Sequence, residues 1–129
     1  MNEMIDFLSL PDVSEMTSEV FVNDRIGKFV VRPMTVDEHS DYMKRCRTKI
    51  NKKGMDFDSA KFYLLIVAGQ TVSPNFSDAE LLKKAGCTTA TDLIKKKLLS
   101  GEIQDIADKI CNISGFDNDI QEDIEEAKN

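Results

Sequence analysis

The apolar positions near the middle of the chain predict a buried helix. Residues 62–67 form a continuous apolar run, which is far too short to span a bilayer, where about 20 such residues are needed. Asp58 can cap the start of a helix and Pro74 can end one, so the pattern predicts a helix over about 59–72. Because apolar residues cover most of its circumference, we expect this helix to lie inside the fold.

The segment before this helix has a different spacing, which predicts a β-hairpin. Runs of β-branched and aromatic residues at 20–22 and 28–32 flank a turn that contains Asn23, Asp24 and Gly27. A hairpin alone is barely stable in water, so it should pack on the helices. The side chains expected to make that contact include Phe21, Phe29 and Val31.

A capping box formed by Thr35 and Glu38 predicts a second helix, which runs to about Ile50. The spacing of its apolar residues predicts these inner positions: Val36, Tyr42, Met43, Cys46 and Ile50. The chain's single histidine, His39, has no catalytic arrangement of residues around it in the sequence and is expected at the surface or at a boundary.

Short helices are predicted for the remainder of the fold. Ser77 and Glu80 form another potential capping box, and Gly86 should end that helix. The next helix starts at Thr88 or Thr89 and should turn Leu93, Ile94 and Leu98 inward. The last helix, in GEIQDIADKICNISG, repeats isoleucine and alanine every three or four residues.

These elements predict a mainly helical α+β fold. An N-terminal β-hairpin should pack on a bundle of about five short helices around the central apolar helix. We expect a single globular domain at 20–116, a mobile acidic leader at 1–19 and an acidic C-terminal tail at 117–129. Ile5 and Leu8 in the leader, and Ile120 and Ile124 in the tail, are candidate partner-binding residues because short apolar stripes at chain ends can fold onto a partner.

The charge distribution argues against nucleic-acid binding. The 129-residue chain has a net charge of −6, and each end, 1–19 and 117–129, carries −5, which leaves a body of +4. Nucleic-acid binding depends on clustered basic residues that neutralise phosphates. Six bases lie in 44–53, where they form either a patch for an acidic partner or phosphate, or a solvated helix end. The lysine triplet 95–97 either binds phosphate or forms a solvated face.

The sequence has no recognisable catalytic or metal-binding motif. It lacks a phosphate-binding glycine loop, paired metal ligands and a nucleophile motif, so neither an enzyme nor a cofactor is expected. Three widely spaced cysteines are an odd number, which favours reduced thiols inside a cell. We see neither a signal peptide nor a membrane-spanning segment, so the cytoplasm is the expected location.

Three motifs in order resemble the phage tail assembly chaperones of contractile-tailed phages and prophages of Gram-positive bacteria, the XkdN-like group. The first is VVRPMTVDEHSDYMKRCRTK, the second is LLIVAGQTVSPNFSDAELL and the third is LIKKKLLSGEIQDIADKICNISGF. No single motif is specific, but their order and spacing over 20–116 are similar to the family pattern.

The resemblance implies a non-enzymatic function. Such chaperones bind the long tape measure protein and keep it soluble until tail tube subunits polymerise around it, and they are typically absent from the finished virion. The resemblance therefore implies action in the cytoplasm of the bacterial host. Further partners could be the tail tube protein, a second copy of the chain, or a longer frameshifted form, since 127–129 can be encoded by a run of adenines. The family-motif residues, expected to shape the fold more than to touch the client, are Pro74, Phe76, Glu80, Leu81, Gly101 and Glu102.

Two other classes of protein remain open at this point. A structural component of the tail or baseplate would share the small helical fold but remain in the particle. A small nucleic-acid-binding regulator would use the basic stretch 44–53.

Overall fold

The computed structural model describes residues 7–48 and 56–116, which contain five α-helices and two small antiparallel sheets. The helices are α1 (Val36–Cys46), α2 (Ser59–Gln70), α3 (Ala79–Ala85), α4 (Ala90–Lys97) and α5 (Ser100–Ile113). The strands are β1 (Ser18–Asn23), β2 (Gly27–Val31), β3 (Arg47–Thr48), β4 (Asp56–Phe57) and β5 (Thr71–Ser73). The predicted α+β, mainly helical class is confirmed.

Helix α2 is the centre of the core, as predicted. Asp58 caps its start by accepting a hydrogen bond from the Lys61 N–H, and α2 contacts α1, α4 and α5. Its buried side chains are Phe62, Leu65, Ile66, Val67 and Gln70. These residues face several neighbouring elements at once, which explains why the helix is apolar on nearly every side.

The predicted end of α2 is wrong by two residues. The helix stops at Gln70, and Thr71–Ser73 becomes strand β5, which pairs antiparallel with β2 through Val30 and Ser73 and through Val31 and Thr71. The backbone groups of Thr71–Ser73 find hydrogen-bonding partners at the edge of β2, and those groups of β2 would stay unpaired if the helix continued. Such a distant pairing leaves no local signal in the sequence.

The hairpin is confirmed, and β5 extends it to a sheet with the order β1-β2-β5. Gly27 adopts a φ of 86° in the turn, a conformation that favours glycine. Phe29 and Val31 are buried as predicted, but Phe21 is 53% exposed, so its predicted contact with the helices is wrong. Successive strand residues point to opposite faces, and in β1 the inward face belongs to Val20 and Val22.

The start of α1 is confirmed and its predicted end is wrong. Thr35 and Glu38 form the full capping box, but the helix ends at Cys46 because Arg47–Thr48 pairs with Asp56–Phe57. Because the helix stops at Cys46, the basic residues after it cannot all be explained as a solvated helix end. The remainder of the basic stretch, 49–53, lies outside the described residues.

The predicted inner positions of α1 are partly correct. Tyr42 and Cys46 are buried and Met43 is half-buried, whereas Val36 is 84% exposed. Val36 is the first helical residue and lies about a quarter of a turn around the helix from Cys46, so it misses the core. Ile50 lies outside the described residues.

The last three helices begin and end near their predicted positions, with one correction. Asp78, rather than Ser77, caps α3 by accepting a hydrogen bond from the Leu81 N–H, so the predicted box of Ser77 and Glu80 is wrong. A turn in which the Asp78 N–H donates to the Asn75 carbonyl places Asp78 at the cap. Gly86, with a φ of 72°, ends α3 as predicted, and Thr89 caps α4.

Helix α5 packs against α2 and closes the core from the other side. Four members of its predicted repeat are buried, Ile103, Ile106, Ala107 and Ile110, while the fifth, Ile113, is half-buried. Cys111, which the repeat did not include, is also buried. In α4, Leu93 and Ile94 are buried as predicted, while Leu98 beyond its end is half-buried. No helix within 7–48 or 56–116 has both the length and the apolarity required to cross a bilayer.

Candidate functional site

An apolar groove opens between the β1–β2 turn and helices α3 and α4. Its volume is about 440 Å³, and two lysines interrupt an otherwise apolar lining. We call it the lysine-rimmed groove, and its lining residues are Ile26, Phe29, Pro74, Phe76, Leu81, Lys84, Ala85, Leu93, Lys97 and Leu98. The groove is therefore assembled from four separate parts of the chain.

Two phenylalanines that contact each other belong to the lining of the groove. Phe29 from β2 and Phe76 from the segment after β5 are both buried, and their rings meet edge to face with centroids 5.9 Å apart. Pro74 follows β5 through a cis peptide bond with Ser73 and lies half-buried beside them. The antiparallel pairing of β5 with β2 is what brings Pro74 and Phe76 to Phe29.

The rim of the groove is positively charged. Lys84 on α3 and Lys97 at the end of α4 are both exposed, so their ammonium groups can meet solvent or a charged partner. The surrounding segment 79–97 holds five lysines and two acids, a net charge of +3. An apolar floor with lysines at its edge suits a ligand with an apolar stripe flanked by acids.

A buried carboxylate holds the β1–β2 turn at one end of the groove. Glu102 on α5 is only 6% exposed and accepts hydrogen bonds at 2.9 Å from both Asn23 Nδ2 and Arg25 Nε. It also accepts one from the Leu99 backbone N–H at 2.7 Å. The hydrogen bonds from Arg25, then those from Asn23 and Leu99, lower the pKa of Glu102 to about 2.

The same contacts fix the residue that lines the groove in this turn. The Arg25 guanidinium also donates to the Lys97 carbonyl at 3.0 Å, and Asn23 Oδ1 accepts from the Ile26 N–H at 2.9 Å. The turn is thus tied to the junction between α4 and α5. The position of Ile26 in the groove lining is fixed as a result.

A second polar network holds the other end of the sheet. Gln70, which is fully buried, accepts a hydrogen bond from the Tyr42 hydroxyl at 2.7 Å and donates to the Pro33 carbonyl at 3.0 Å. Arg32 forms an ion pair of 2.8 Å with Glu38. Burial raises the pKa of Tyr42 to about 12, and the nearby Glu38 charge acts in the same direction. This network fixes the end of α2, from which β5 and the groove segment continue.

Two further depressions lie between α2 and α4. One of about 350 Å³ is lined by Tyr63 and Ile103, and another of about 690 Å³ by Asp58 and Thr91; both share the flank of α2 around Leu64. Their linings mix apolar residues with hydroxyl and charged groups and include none of the six family-motif residues. We therefore take the lysine-rimmed groove as the candidate site.

The described residues contain no cluster of three or more His, Cys, Asp or Glu side chains that could hold a metal ion. His39 is half-buried, at the boundary position expected for it, with its ring centroid 4.8 Å from that of Phe116. Burial lowers the pKa of His39. Nothing around it forms a catalytic arrangement within the part of the chain that the structure describes.

The structure brings together some of the six family-motif residues. Pro74, Phe76 and Leu81 line the groove, and Glu102 anchors the turn beside it. Glu80 is exposed on α3, and Gly101 is exposed in the first turn of α5.

Only one of the four candidate partner-binding residues at the chain ends lies among the described residues. Leu8 is 94% exposed, in a short 3₁₀ turn at Phe7–Ser9. Ile5, Ile120 and Ile124 lie outside the described residues.

Sequence reasoning missed the residues that complete the groove from distant segments. Ile26 and Arg25 lie in the hairpin turn, and nothing local indicates that they reach α4 and α5. Lys97 belongs to a triplet with two possible interpretations, and only its position beside Leu98 places it on the rim. The short turn sequence 24–26 offered only one weak signal, an isoleucine that follows two charged residues.

Comparison with known proteins identifies relatives. The family of phage XkdN-like tail assembly chaperone proteins matches residues 4–128. The chain is 30% identical over 106 residues to the phage-like element PBSX protein XkdN of Bacillus subtilis strain 168, a match that covers 78% of this chain and 72% of XkdN. It is 33% identical over 104 residues to the uncharacterized protein YqbN of the same strain, covering 77% and 69% of the two chains.

A solved structure supports the fold alone. The crystal structure of the protein YqbN superimposes with a TM-score of 0.61 and 24% sequence identity, and the match covers 79% of this chain and 87% of that one.

Proposed function

The chain belongs to the family of XkdN-like phage tail assembly chaperones, and we propose that it binds the tape measure protein by holding apolar helical segments of that client in the lysine-rimmed groove. The observation that carries the proposal is the groove itself. Its apolar floor is open to solvent and contains three of the family-motif residues, Pro74, Phe76 and Leu81.

The apolar lining of the groove suits the apolar face of a helix better than a small polar ligand. An amphipathic helix binds in an apolar groove through side chains at positions i, i+3, i+4 and i+7. A volume of about 440 Å³ accepts a few large apolar side chains, within the usual range of about 300–1,000 Å³ for binding sites. Phe29 and Phe76 would contact those side chains as part of the groove lining.

The lysines add orientation and selectivity. A client helix with acids beside its apolar stripe would form ion pairs with Lys84 and Lys97, while a basic flank would be repelled. Exposed ion pairs contribute only about 0.2–1 kcal/mol each, so the apolar contacts supply most of the affinity.

The site of action follows from the role of such a chaperone. The client is soluble only while its apolar stripes are covered, so the chaperone acts in the host cytoplasm until tail tube subunits replace it. It is then absent from the finished virion. Binding and release are sufficient for this role, and no chemical step is required.

Capture of the tape measure protein tests the proposal. The tagged chaperone and its phage's tape measure protein are co-expressed, and recovery is compared for the wild type and the variant Lys84→Glu/Lys97→Glu. Reversing both rim charges should reduce recovery about tenfold, since two attractive pairs become repulsive. The matched control Lys28→Glu/Lys61→Glu makes the same change of charge on exposed residues outside both the groove and the basic stretch 44–53, and should leave recovery unchanged.

Other outcomes would support other functions. Equal recovery by both double variants would show that the groove is not the binding site. Failure of the wild type to recover the tape measure protein would show that this protein is not the client. Persistence of the protein in purified phage particles, measured by mass spectrometry, would favour a structural tail component. A salt-sensitive shift of duplex DNA would favour a nucleic-acid-binding regulator.

A further inference from the structure

The larger of the two depressions between α2 and α4 leaves part of the central helix uncovered. This α2–α4 depression has a volume of about 690 Å³, and Ala60 and Leu64 lie both in its lining and in that of the smaller depression. Ala60 is exposed and Leu64 is half-buried, although α2 is apolar on nearly every side and packs against α1, α4 and α5. A helix of this composition is expected to be covered all round. A segment that covers this side of α2 is therefore expected.

The edge of the α2–α4 depression is positively charged. Arg45, Lys61 and Lys95 line it from three different helices, and all three are exposed. Asp58 is the acid in the lining, so the lining residues carry a net charge of +2. Arg45 forms an ion pair of 3.4 Å with Asp41, but both groups are exposed, and such a pair contributes little. The surface therefore suits a segment that combines acids with a short apolar stripe.

Residues 117–129, the acidic tail, have this composition. Three stretches of the chain lie outside the described residues: 1–6, 49–55 and 117–129. The stretch 49–55 holds three lysines and no acid, so the cations would repel it, and 1–6 holds only two acids. The tail holds six acids and one base, with Ile120 and Ile124 four residues apart. Two isoleucines at that spacing share one face when the segment is helical.

The tail begins close enough to reach the α2–α4 depression. Phe116, the residue before it, lies against His39 of α1 with ring centroids 4.8 Å apart, and the His39 ring lies 6.4 Å from that of Phe62 on α2. Lys61, in the lining of the depression, precedes Phe62 in the chain. An extended chain spans about 3.3–3.6 Å per residue, so the tail reaches about 40 Å, several times the diameter of a helix. The tail can therefore cross α2 from its own attachment point.

We propose that residues 117–129 fold back on their own chain and bind in the α2–α4 depression, with the two isoleucines against its apolar lining and the carboxylates beside Lys61 and Lys95. A tethered segment binds at a high effective concentration, which favours the same chain over a second copy. Among the described residues, the depression and the lysine-rimmed groove share no lining residue, so the contact leaves the groove open. The inference therefore does not depend on the proposed function.

A spin label on the tail tests the position of the tail by NMR. In the full-length ¹⁵N-labelled protein, Cys87→Ser removes the half-buried thiol, and Gln121→Cys supplies a thiol on the tail for a nitroxide. The two remaining cysteines are buried and should not react. The nitroxide should broaden the amide signals of residues 89–95, at the depression, more than those of 74–81, at the groove. Broadening that is stronger at 74–81, or absent from 89–95, would overturn the proposal.

Two matched double variants of the spin-labelled protein identify the surface. Lys61→Glu/Lys95→Glu reverses two charges of the lining and should weaken the contact about tenfold, with less broadening at 89–95. Lys84→Glu/Lys97→Glu makes the same change at exposed lysines outside the depression and should leave the broadening unchanged. Circular dichroism checks that each variant is folded. The opposite pattern would place the tail in the lysine-rimmed groove and would overturn the proposal.

A peptide separates the apolar contact from the effect of charge alone. The full-length variant Ile120→Ser/Ile124→Ser has a weakened tail of its own, so a fluorescent peptide of residues 117–129 should bind to it. A second peptide, with serine in place of both isoleucines, has the same charge and should bind at least tenfold more weakly, because it has lost two apolar contacts. Equal binding of the two peptides would show that charge alone acts and would overturn the proposal.

Mixing two samples distinguishes the same chain from a second copy. Protein that carries the nitroxide but no ¹⁵N is mixed with ¹⁵N-labelled protein that carries no nitroxide. The amide signals of residues 89–95 should stay sharp in this mixture, because the tail of each molecule is bound to its own chain. Broadening as large as in the directly labelled protein would show a contact between copies and would overturn the proposal.

Discussion

Replacing Gln70 by leucine removes the central side chain of the network between α2, α1 and the end of β2. Gln70 is fully buried, and its amide joins the Tyr42 hydroxyl at 2.7 Å to the Pro33 carbonyl at 3.0 Å. Leucine has a similar size but cannot form hydrogen bonds, so both groups lose this partner. The Gln70 amide also donates to Glu38 Oε1 at 3.3 Å, but Glu38 retains its ion pair with Arg32 and is less affected.

The expected cost follows from these two groups. A buried polar group left without a partner costs about 1–3 kcal/mol, so the substitution should lower the free energy of unfolding by about 2–5 kcal/mol. Domains of this kind have total stabilities of about 5–15 kcal/mol, and the loss is therefore a large fraction of the total. Tyr42→Phe removes only the hydroxyl donor and should cost about 1–3 kcal/mol.

Urea unfolding followed by far-UV circular dichroism measures these differences, because the chain has no tryptophan to report by fluorescence. The slope of free energy against urea should be unchanged if only stability is altered. In the double variant Tyr42→Phe/Gln70→Leu, the hydroxyl and its acceptor are both absent. The double variant should therefore cost less than the sum of the single variants, with a coupling of about 1–2 kcal/mol.

Two results would refute this reasoning. If Gln70→Leu unfolds within about 0.5 kcal/mol of the wild type, the network does not stabilise the fold, since surface substitutions have effects of that size. If the two single costs add without coupling, Gln70 and Tyr42 do not act as a pair.

Two further predictions concern backbone packing and pH. Gly69→Ala should lower the free energy of unfolding in urea by about 1–3 kcal/mol, because the added Cβ would clash with the Tyr42 hydroxyl oxygen. The control is Gly101→Ala, where the added Cβ has no neighbour within 4 Å. This control should be neutral or should stabilise the fold by about 0.5 kcal/mol. The pKa of Glu102 is lowered from 4.5 to about 2 when folded, so its contribution is present above pH 4.5 and is lost as pH falls toward 2. In Glu102→Gln, the urea midpoint of unfolding should change less with pH in that window than it does in the wild type. An unchanged pH dependence of the midpoint would mean that the contact with Arg25 does not hold the turn.

Local signals predicted most of the helices. The caps at Thr35, Asp58 and Thr89 and the glycine end at Gly86 all appear in the structure, because each depends on residues within one helical turn. The isoleucine repeat of α5 predicted its buried face for the same reason. Predictions of this type need no knowledge of the remaining chain.

Predictions that depended on distant partners were wrong or absent. The end of α2 was placed too late because β5 forms only where β2 offers a free edge. The end of α1 was placed too late because Arg47–Thr48 pairs with a strand beyond the segment 49–55. Phe21 and Val36 are exposed. Which side chains of a strand or of a first helical turn point toward the core depends on the elements that pack against it.

The sequence by itself determined the mainly helical α+β class, the central apolar helix that became α2 and the chaperone family, since periodicity, caps and motif order are carried by neighbouring residues. The candidate site was decided by the tertiary structure. The groove is lined by residues from separate segments of the chain, such as Phe29, Phe76 and Lys97. Two contacts bring these segments together: the pairing of β5 with β2 and the attachment of Arg25 to Glu102. Contacts between distant residues depend on the whole fold, and for this reason the groove has no signature in any single stretch of the sequence.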